Sequence, residues 1–115
     1  MTDSTLDLPN HWSEAAREAA DEILAARPDL SGADVAALEQ AAELVTLADR
    51  LGEVAAAAGY VSRSDAGAET THRAVTEARL ARAQAAAIFA RLADTGASTD
   101  RSSAGRALAR KRWAR

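Results

Sequence analysis

The sequence predicts an all-α protein: a long antiparallel helical hairpin with a short N-terminal helix before it and a basic C-terminal tail or short helix after it. Three observations predict this. The chain is 48% hydrophobic but only 3% aromatic, and much of its apolar content is alanine, the strongest helix former. Apolar residues recur at alternating spacings of three and four over two long stretches, which places them on helix faces. Finally, there are only two prolines and six glycines, and most of them fall between those stretches, as breakers should.

The first helix opens at Ser13, a good N-cap, with Glu14 in its first turn to complement the helix dipole. Trp12, Ala16, Ala19, Ile23 and Ala26 fall on one face, and Pro28 ends the helix because the residue before a proline is pushed out of helical conformation. Asp29 to Gly32 reads as a turn, after which Ser31 and Asp34 stand in the spacing of a capping box. A second helix then runs to about Ala58, interrupted only by Gly52. Ala37, Ala41, Leu44, Ala48, Leu51, Ala55 and Ala58 form one stripe on it, and Val35, Leu38, Ala42, Val45 and Val54 form another, so this helix meets neighbours on more than one side.

Gly59 is placed to cap the second helix at its C-terminus. The stretch from Tyr60 to Thr71 suits a loop or a very small hairpin, with Tyr60–Val61 and Ala68–Thr70 as extended segments. A third helix is expected from about His72 to Asp94, capped by Thr70 or Thr71 and ended before Gly96, with Val75, Ala78, Ala81, Ala85, Ile88 and Leu92 as its apolar stripe. Two long helices joined by so short a connection form an antiparallel pair, and the first helix can pack across one end of it. Beyond Gly96 the chain turns polar, and a last short helix is expected from Ser103 to Trp113. The organisation read from sequence is therefore an N-terminal segment over 1–12, a helical oligomerisation domain over 13–95 and a basic tail over 96–115.

Alanine buries little area, so a 115-residue chain of this composition has a thin core and gains stability by packing against copies of itself. Leu44, Leu51, Val54, Val75, Ile88 and Leu92 are the candidate oligomerisation residues on the two long helices. The chain has no cysteine, which excludes a disulfide framework and thiolate metal sites. Its two histidines, His11 and His72, are far apart and read as solvated or capping residues. The polar, acidic start lacks the apolar core of a signal peptide, and no apolar run reaches membrane-spanning length. A soluble intracellular protein without membrane contact is expected.

The formal net charge of −3 conceals a division. Residues 1–100 hold eight arginines against all seventeen acidic residues, while residues 101–115 hold six basic residues and no acid. Arg101, Arg106, Arg110, Lys111, Arg112 and Arg115 are the candidate DNA-binding residues. Arginine matches phosphate geometry with paired donors, and each neutralised phosphate adds a salt-sensitive increment of affinity. Trp113 is suited to stack on a base or sugar, or to dock on the acidic body, and a tail that merely balances that body is the plainer reading. A helix-turn-helix around Arg27 to Ala42 is disfavoured, because Asp34, Glu39 and Glu43 would repel phosphates at the front of its reading helix. There is no phosphate-binding glycine loop, no buried carboxylate pair and no nucleophile–histidine arrangement. No catalytic residue, metal ligand or cofactor is expected, and the chain reads as a non-enzyme.

Taken in order, these segments resemble the small terminase subunits of tailed double-stranded DNA phages, of the actinophage type. The resemblance rests on Leu8-Pro9-Asn10-His11-Trp12-Ser13-Glu14-Ala15-Ala16 at the first helix and Asp34-Val35-Ala36-Ala37-Leu38-Glu39-Gln40-Ala41-Ala42-Glu43 in the second. Thr76-Glu77-Ala78-Arg79-Leu80-Ala81-Arg82-Ala83 in the third helix and Ser102-Ser103-Ala104-Gly105-Arg106-Ala107-Leu108-Ala109-Arg110-Lys111-Arg112-Trp113 at the end complete it. It covers residues 8 to 113, and its order and spacing are more specific than any one piece. The chain departs from the family pattern at His72-Arg73, where relatives often carry a proline that stiffens the start of the third helix.

The resemblance implies a homo-oligomeric ring in the host cytoplasm that recognises viral double-stranded DNA, delivers it to the large terminase subunit and regulates that subunit's ATPase and nuclease. The resemblance carries DNA contact over only to the basic C-terminal residues, and assembly only to the two long helices; Arg17 on the first helix is read as joining the tail arginines on the phosphate backbone. The alternatives are a small helical DNA-binding regulator, an antitoxin-like dimer on a palindromic site, and a helical protein–protein adaptor that touches no nucleic acid.

Overall fold

The computed structural model describes residues 8–30 and 32–113, with side chains described as far as residue 94. Three helices dominate: α1 over Glu14–Ala26, α2 over Gly32–Ala57 and α3 over Arg73–Trp113. Between α2 and α3 lie two short strands, β1 over Val61–Arg63 and β2 over Glu69–Thr71.

Ser13 begins α1 as its sequence predicts. It is extended, and its Oγ accepts the Ala16 N–H at 3.3 Å, relieving one of the donors that a helix start leaves without an intrahelical partner. Arg27 ends the helix with its own N–H on the Ile23 carbonyl at 2.8 Å, and Leu30 returns a bond to the Arg27 carbonyl at 3.1 Å. That turn carries the chain into α2 within five residues. Ser31, half of the expected capping box, lies outside the described residues, and Asp34 in the first turn of α2 faces Arg27 instead, at 3.6 Å.

The 26 residues of α2 run about 39 Å. Its end is a Schellman motif: the Tyr60 N–H reaches the Ala55 carbonyl at 2.7 Å and the Gly59 N–H reaches Ala56 at 3.0 Å. Gly59 stands at φ 73° and Tyr60 at φ 69°. The glycine accepts that left-handed conformation without a Cβ penalty, while Tyr60 holds it as a non-glycine residue.

The connection is the very small hairpin that the sequence allowed. β1 and β2 pair antiparallel with Val61 opposite Thr71, Ser62 opposite Thr70 and Arg63 opposite Glu69. Gly67, at φ 87°, makes the tight turn, and the Arg63–Glu69 pair at 2.9 Å crosses the strands. Because Thr70 and Thr71 belong to β2, neither caps α3. His72 does so: its Nδ1 accepts the Ala74 N–H at 3.0 Å and its carbonyl accepts Val75 at 2.9 Å.

The main packing surface joins α2 to α3. Ala41, Ala48 and Ala55, seven residues apart on α2, are buried, as are Ala74, Ala78, Ala81 and Ala85 on α3. Ala48, Ala78 and Ala81 form one cluster flanked by Leu44 and Leu51. The larger cluster lies where α1 crosses the pair: Trp12, Ala16, Ala20 and Ile23 meet Leu38 and Ala42 of α2 and Leu92 of α3, with Ile88 and Phe89 against them.

Two sequence expectations are corrected here. The alanine stripes of α2 and α3, the two helices to which assembly was assigned, face each other inside one protomer. Alanine seams allow close helix approach, and the chain's own hairpin is the nearest partner able to use them. Second, the third helix does not stop before Gly96. It continues unbroken through the expected tail to Trp113, 41 residues in all. One glycine inside a helix costs only about 1 kcal/mol, no proline follows, and the Ala- and Arg-rich stretch from Ala104 to Arg112 favours helix again.

Candidate nucleic-acid interface

The continuation of α3 decides how the basic residues are presented. Ala48 of α2 packs with Ala78 and Ala81 of α3. α2 runs sixteen residues back from Ala48 to Gly32. About sixteen residues onward along the antiparallel α3 reach about residue 96, at 1.5 Å rise on both helices. The rest of α3, to Trp113, therefore continues past the start of α2 as a single helical arm. Arg101, Arg106, Arg110, Lys111 and Arg112 lie along it; Arg115 is outside the described residues.

Arg27 secures the level at which α3 leaves the bundle. Its side chain is 10% exposed. Nη1 donates to the Leu92 carbonyl at 3.4 Å, while Nε and Nη2 face Asp29 at 3.9 Å and Asp34 at 3.6 Å. One guanidinium thus ties the end of α1, the start of α2 and α3 together directly below the arm. A buried cation needs such partners, and both carboxylates keep access to water, which limits the desolvation cost.

A second polar cluster fixes the entry to α1. The Glu43 carboxylate accepts the Trp12 indole N–H at 2.9 Å and meets His11 Nε2 at 2.6 Å. Arg50 donates to the His11 carbonyl at 3.1 Å, and the Ser13 N–H donates to Thr46 Oγ1 at 2.9 Å. The Trp12 bond, and after it the His11 bond, hold the Glu43 carboxyl below its ordinary value against a smaller opposing effect of burial. His11 stays exposed to solvent while its ring hydrogen-bonds Glu43, and Trp12 is buried in the core with its one polar atom satisfied.

The six residues assigned to oligomerisation separate. Leu92 is fully buried in the protomer's own core. Leu44 and Leu51 flank the alanine seam, Ile88 packs on the larger cluster and Val75 is half-buried. Val54 alone of the six is exposed, at 51%, and Leu47 and Leu80 accompany it at 48% and 54%. Leu47 and Val54 lie two turns apart on one face of α2, and Leu80 is level with them on α3, since Ala48 packs with Ala78 and Ala81. Sequence reasoning passed over Leu47 and Leu80, although both stand one position before a seam alanine, Ala48 and Ala81, and so on the seam's border.

Among the described residues no three His, Cys, Asp or Glu side chains gather as a metal site, and no helix is long and apolar enough to cross a membrane. Comparison with protein families, curated proteins and solved structures gave no match to this chain.

Proposed function

We propose that the chain is the small subunit of a phage DNA-packaging terminase: a non-enzymatic protein of the host cytoplasm that binds viral double-stranded DNA, assembles as a homo-oligomeric ring, and delivers DNA to the large subunit while regulating its ATPase and nuclease. The observation that carries this reading is the division of charge along one continuous element. An acidic three-helix body gives way, within α3, to an arm bearing Arg101, Arg106, Arg110, Lys111 and Arg112. The segment resemblance to small terminase subunits supplies the packaging role, and no cofactor is required for it.

In this reading the alanine seam builds the protomer, and the ring forms on the outer flank that carries Leu47, Val54 and Leu80. Three large apolar side chains about half exposed on one short, otherwise polar stretch suit a contact with another protein. Several arms presented by one ring add weak phosphate contacts into a strong one.

The test is DNA affinity as a function of salt for the intact protein and for the variant with Arg106, Arg110, Lys111 and Arg112 all replaced by Ala. Steep, salt-dependent binding that collapses in the variant, with assembly unchanged, supports the reading. Equal binding by the two proteins refutes the assignment of DNA contact to the arm. An adaptor that never touches nucleic acid would show no affinity in either form.

A further inference from the structure

Every residue from Val61 to Thr71 is exposed, so the β1–β2 hairpin stands clear of the three-helix body. Each strand has three residues. An isolated two-stranded hairpin is marginally stable in water and gains from a third strand or a covering helix. The arrangement calls for a further strand.

The hydrogen bonding shows where such a strand fits. The Ser64 N–H donates to the Ala68 carbonyl at 2.8 Å and the His72 N–H to the Tyr60 carbonyl at 2.9 Å. Bonded and non-bonded pairs alternate along an antiparallel ladder. In the observed register Ser62–Thr70 is therefore a bonded pair, while Val61–Thr71 and Arg63–Glu69 are non-bonded. The backbone N–H and C=O groups of Val61 and Arg63 point outward from β1, and those of Glu69 and Thr71 outward from β2. No proline guards either edge.

Charge selects the occupant. Arg63 lies on β1 and Glu69 on β2, and within the hairpin their exposed side chains meet at 2.9 Å. Setting β1 beside another β1, or β2 beside another β2, draws like charges together, whereas β1 beside β2 draws opposite charges together. A second copy of this chain supplies the matching edge. Cyclic symmetry turns every hairpin the same way up, so β2 of one copy runs antiparallel to β1 of the next.

We propose that the hairpin is an assembly element: the open edge of β1 pairs antiparallel with the open edge of β2 in a second copy. Arg63 then lies beside Glu69 of the partner subunit, and Val61, 41% exposed in the protomer, beside Thr71 of the partner subunit. This rests on the homo-oligomer of the proposed function and adds a second contact to it. Three residues of edge are too few to hold two copies together alone, so the pairing orients neighbours that the Leu47–Val54–Leu80 flank brings together.

The chain has no cysteine, so single introduced thiols report the contact. Ser62 and Thr70 form a bonded pair within the hairpin but a non-bonded pair between copies, with Cα atoms about 4.5 Å apart and within disulfide reach. Chains carrying Ser62→Cys and chains carrying Thr70→Cys, co-expressed and mildly oxidised, should form a disulfide-linked dimer containing one of each. Neither chain alone should do so. Arg63→Pro removes an outward N–H and leaves the hairpin's own bonds in place. Added to both chains, it should slow the cross-link about fivefold, the worth of one lost hydrogen bond. Assembled protein whose mixed thiols stay unlinked, or Arg63→Pro chains that cross-link as fast as their parents, overturns hairpin pairing and leaves the homo-oligomer standing. A monomer at every concentration overturns both.

Discussion

Arg27, the residue that ends α1, donates from Nη1 to the carbonyl oxygen of Leu92 in α3, 65 positions away in the chain. At 3.4 Å this bond is long, yet the same guanidinium also faces Asp29 and Asp34. It is the point where all three helices meet below the basic arm. Arg27→Ala should lower unfolding free energy by about 1.5–3 kcal/mol, the range for a hydrogen bond to a charged group. Arg27→Met, which keeps the buried stem, should cost less. Denaturant unfolding followed by helical circular dichroism separates the two, and equal costs would assign the loss to charge alone.

The alanine seam makes a prediction about volume. Ala48 is fully buried against Ala78 and Ala81, so Ala48→Leu should destabilise by about 1–3 kcal/mol through overpacking. Ala83 is exposed on α3, and Ala83→Leu should stay within about 0.5 kcal/mol of the parent. Thermal unfolding of the two variants checks the assignment of the seam to the interior of one protomer.

Thr46 is the counterpart of this argument in polar terms. It is 7% exposed and its Oγ1 accepts the Ser13 N–H at 2.9 Å. Thr46→Val preserves shape but strands that donor, at a cost of about 1–3 kcal/mol. Thr46→Ser keeps the acceptor and should recover most of the loss in the same unfolding assay.

Glu43 gives the protein an acid-sensitive contact. Its carboxyl is held below its ordinary value of 4.5, first by the Trp12 N–H and then by His11. A depressed carboxylate stabilises the fold fully above its unfolded value, and that contribution disappears as pH falls through the lower folded value. Stability should therefore begin to drop near pH 4.5 and continue dropping below it. Glu43→Gln, which can still accept from Trp12, should flatten that acid limb. An unchanged acid limb in the variant would show that the cluster does not titrate with folding.

Much of this fold was legible because it follows from local rules. Ser13 announced the start of α1, Pro28 its end, and Gly59 the end of α2. The two alanine stripes gave α2, and the start of α3, to within a turn. The destination of those stripes was not legible, because periodicity shows that a face is buried without showing what covers it. Alanine seams suit another subunit as well as the chain's own return helix, and only the close hairpin decides between them. The stop at Gly96 was misjudged for a related reason: a glycine marks a weak point in a helix but ends it only when the following residues also disfavour helix. Arg27, Thr46 and Glu43 act through partners distant in sequence, which spacing along one strand of chain cannot reveal. Of the candidate site, the basic residues were legible as charge; that they lie on one continuous helix was not, because Gly96 reads as a stop.

The outer flank makes a prediction about assembly. Leu47→Glu with Val54→Glu changes residues that are about half exposed in the protomer, so helicity and protomer stability should hold within about 0.5 kcal/mol. The assembled species should fall to the mass of one chain. Retained assembly in this variant would move the subunit contact elsewhere.

The most direct test of the central claim is the absolute mass of the intact protein in solution, by native mass spectrometry or light scattering across concentration. A DNA-packaging ring predicts a single species well above a tetramer that persists on dilution. A monomer or dimer at every concentration would contradict the ring and favour a small helical DNA-binding regulator built on the same basic arm.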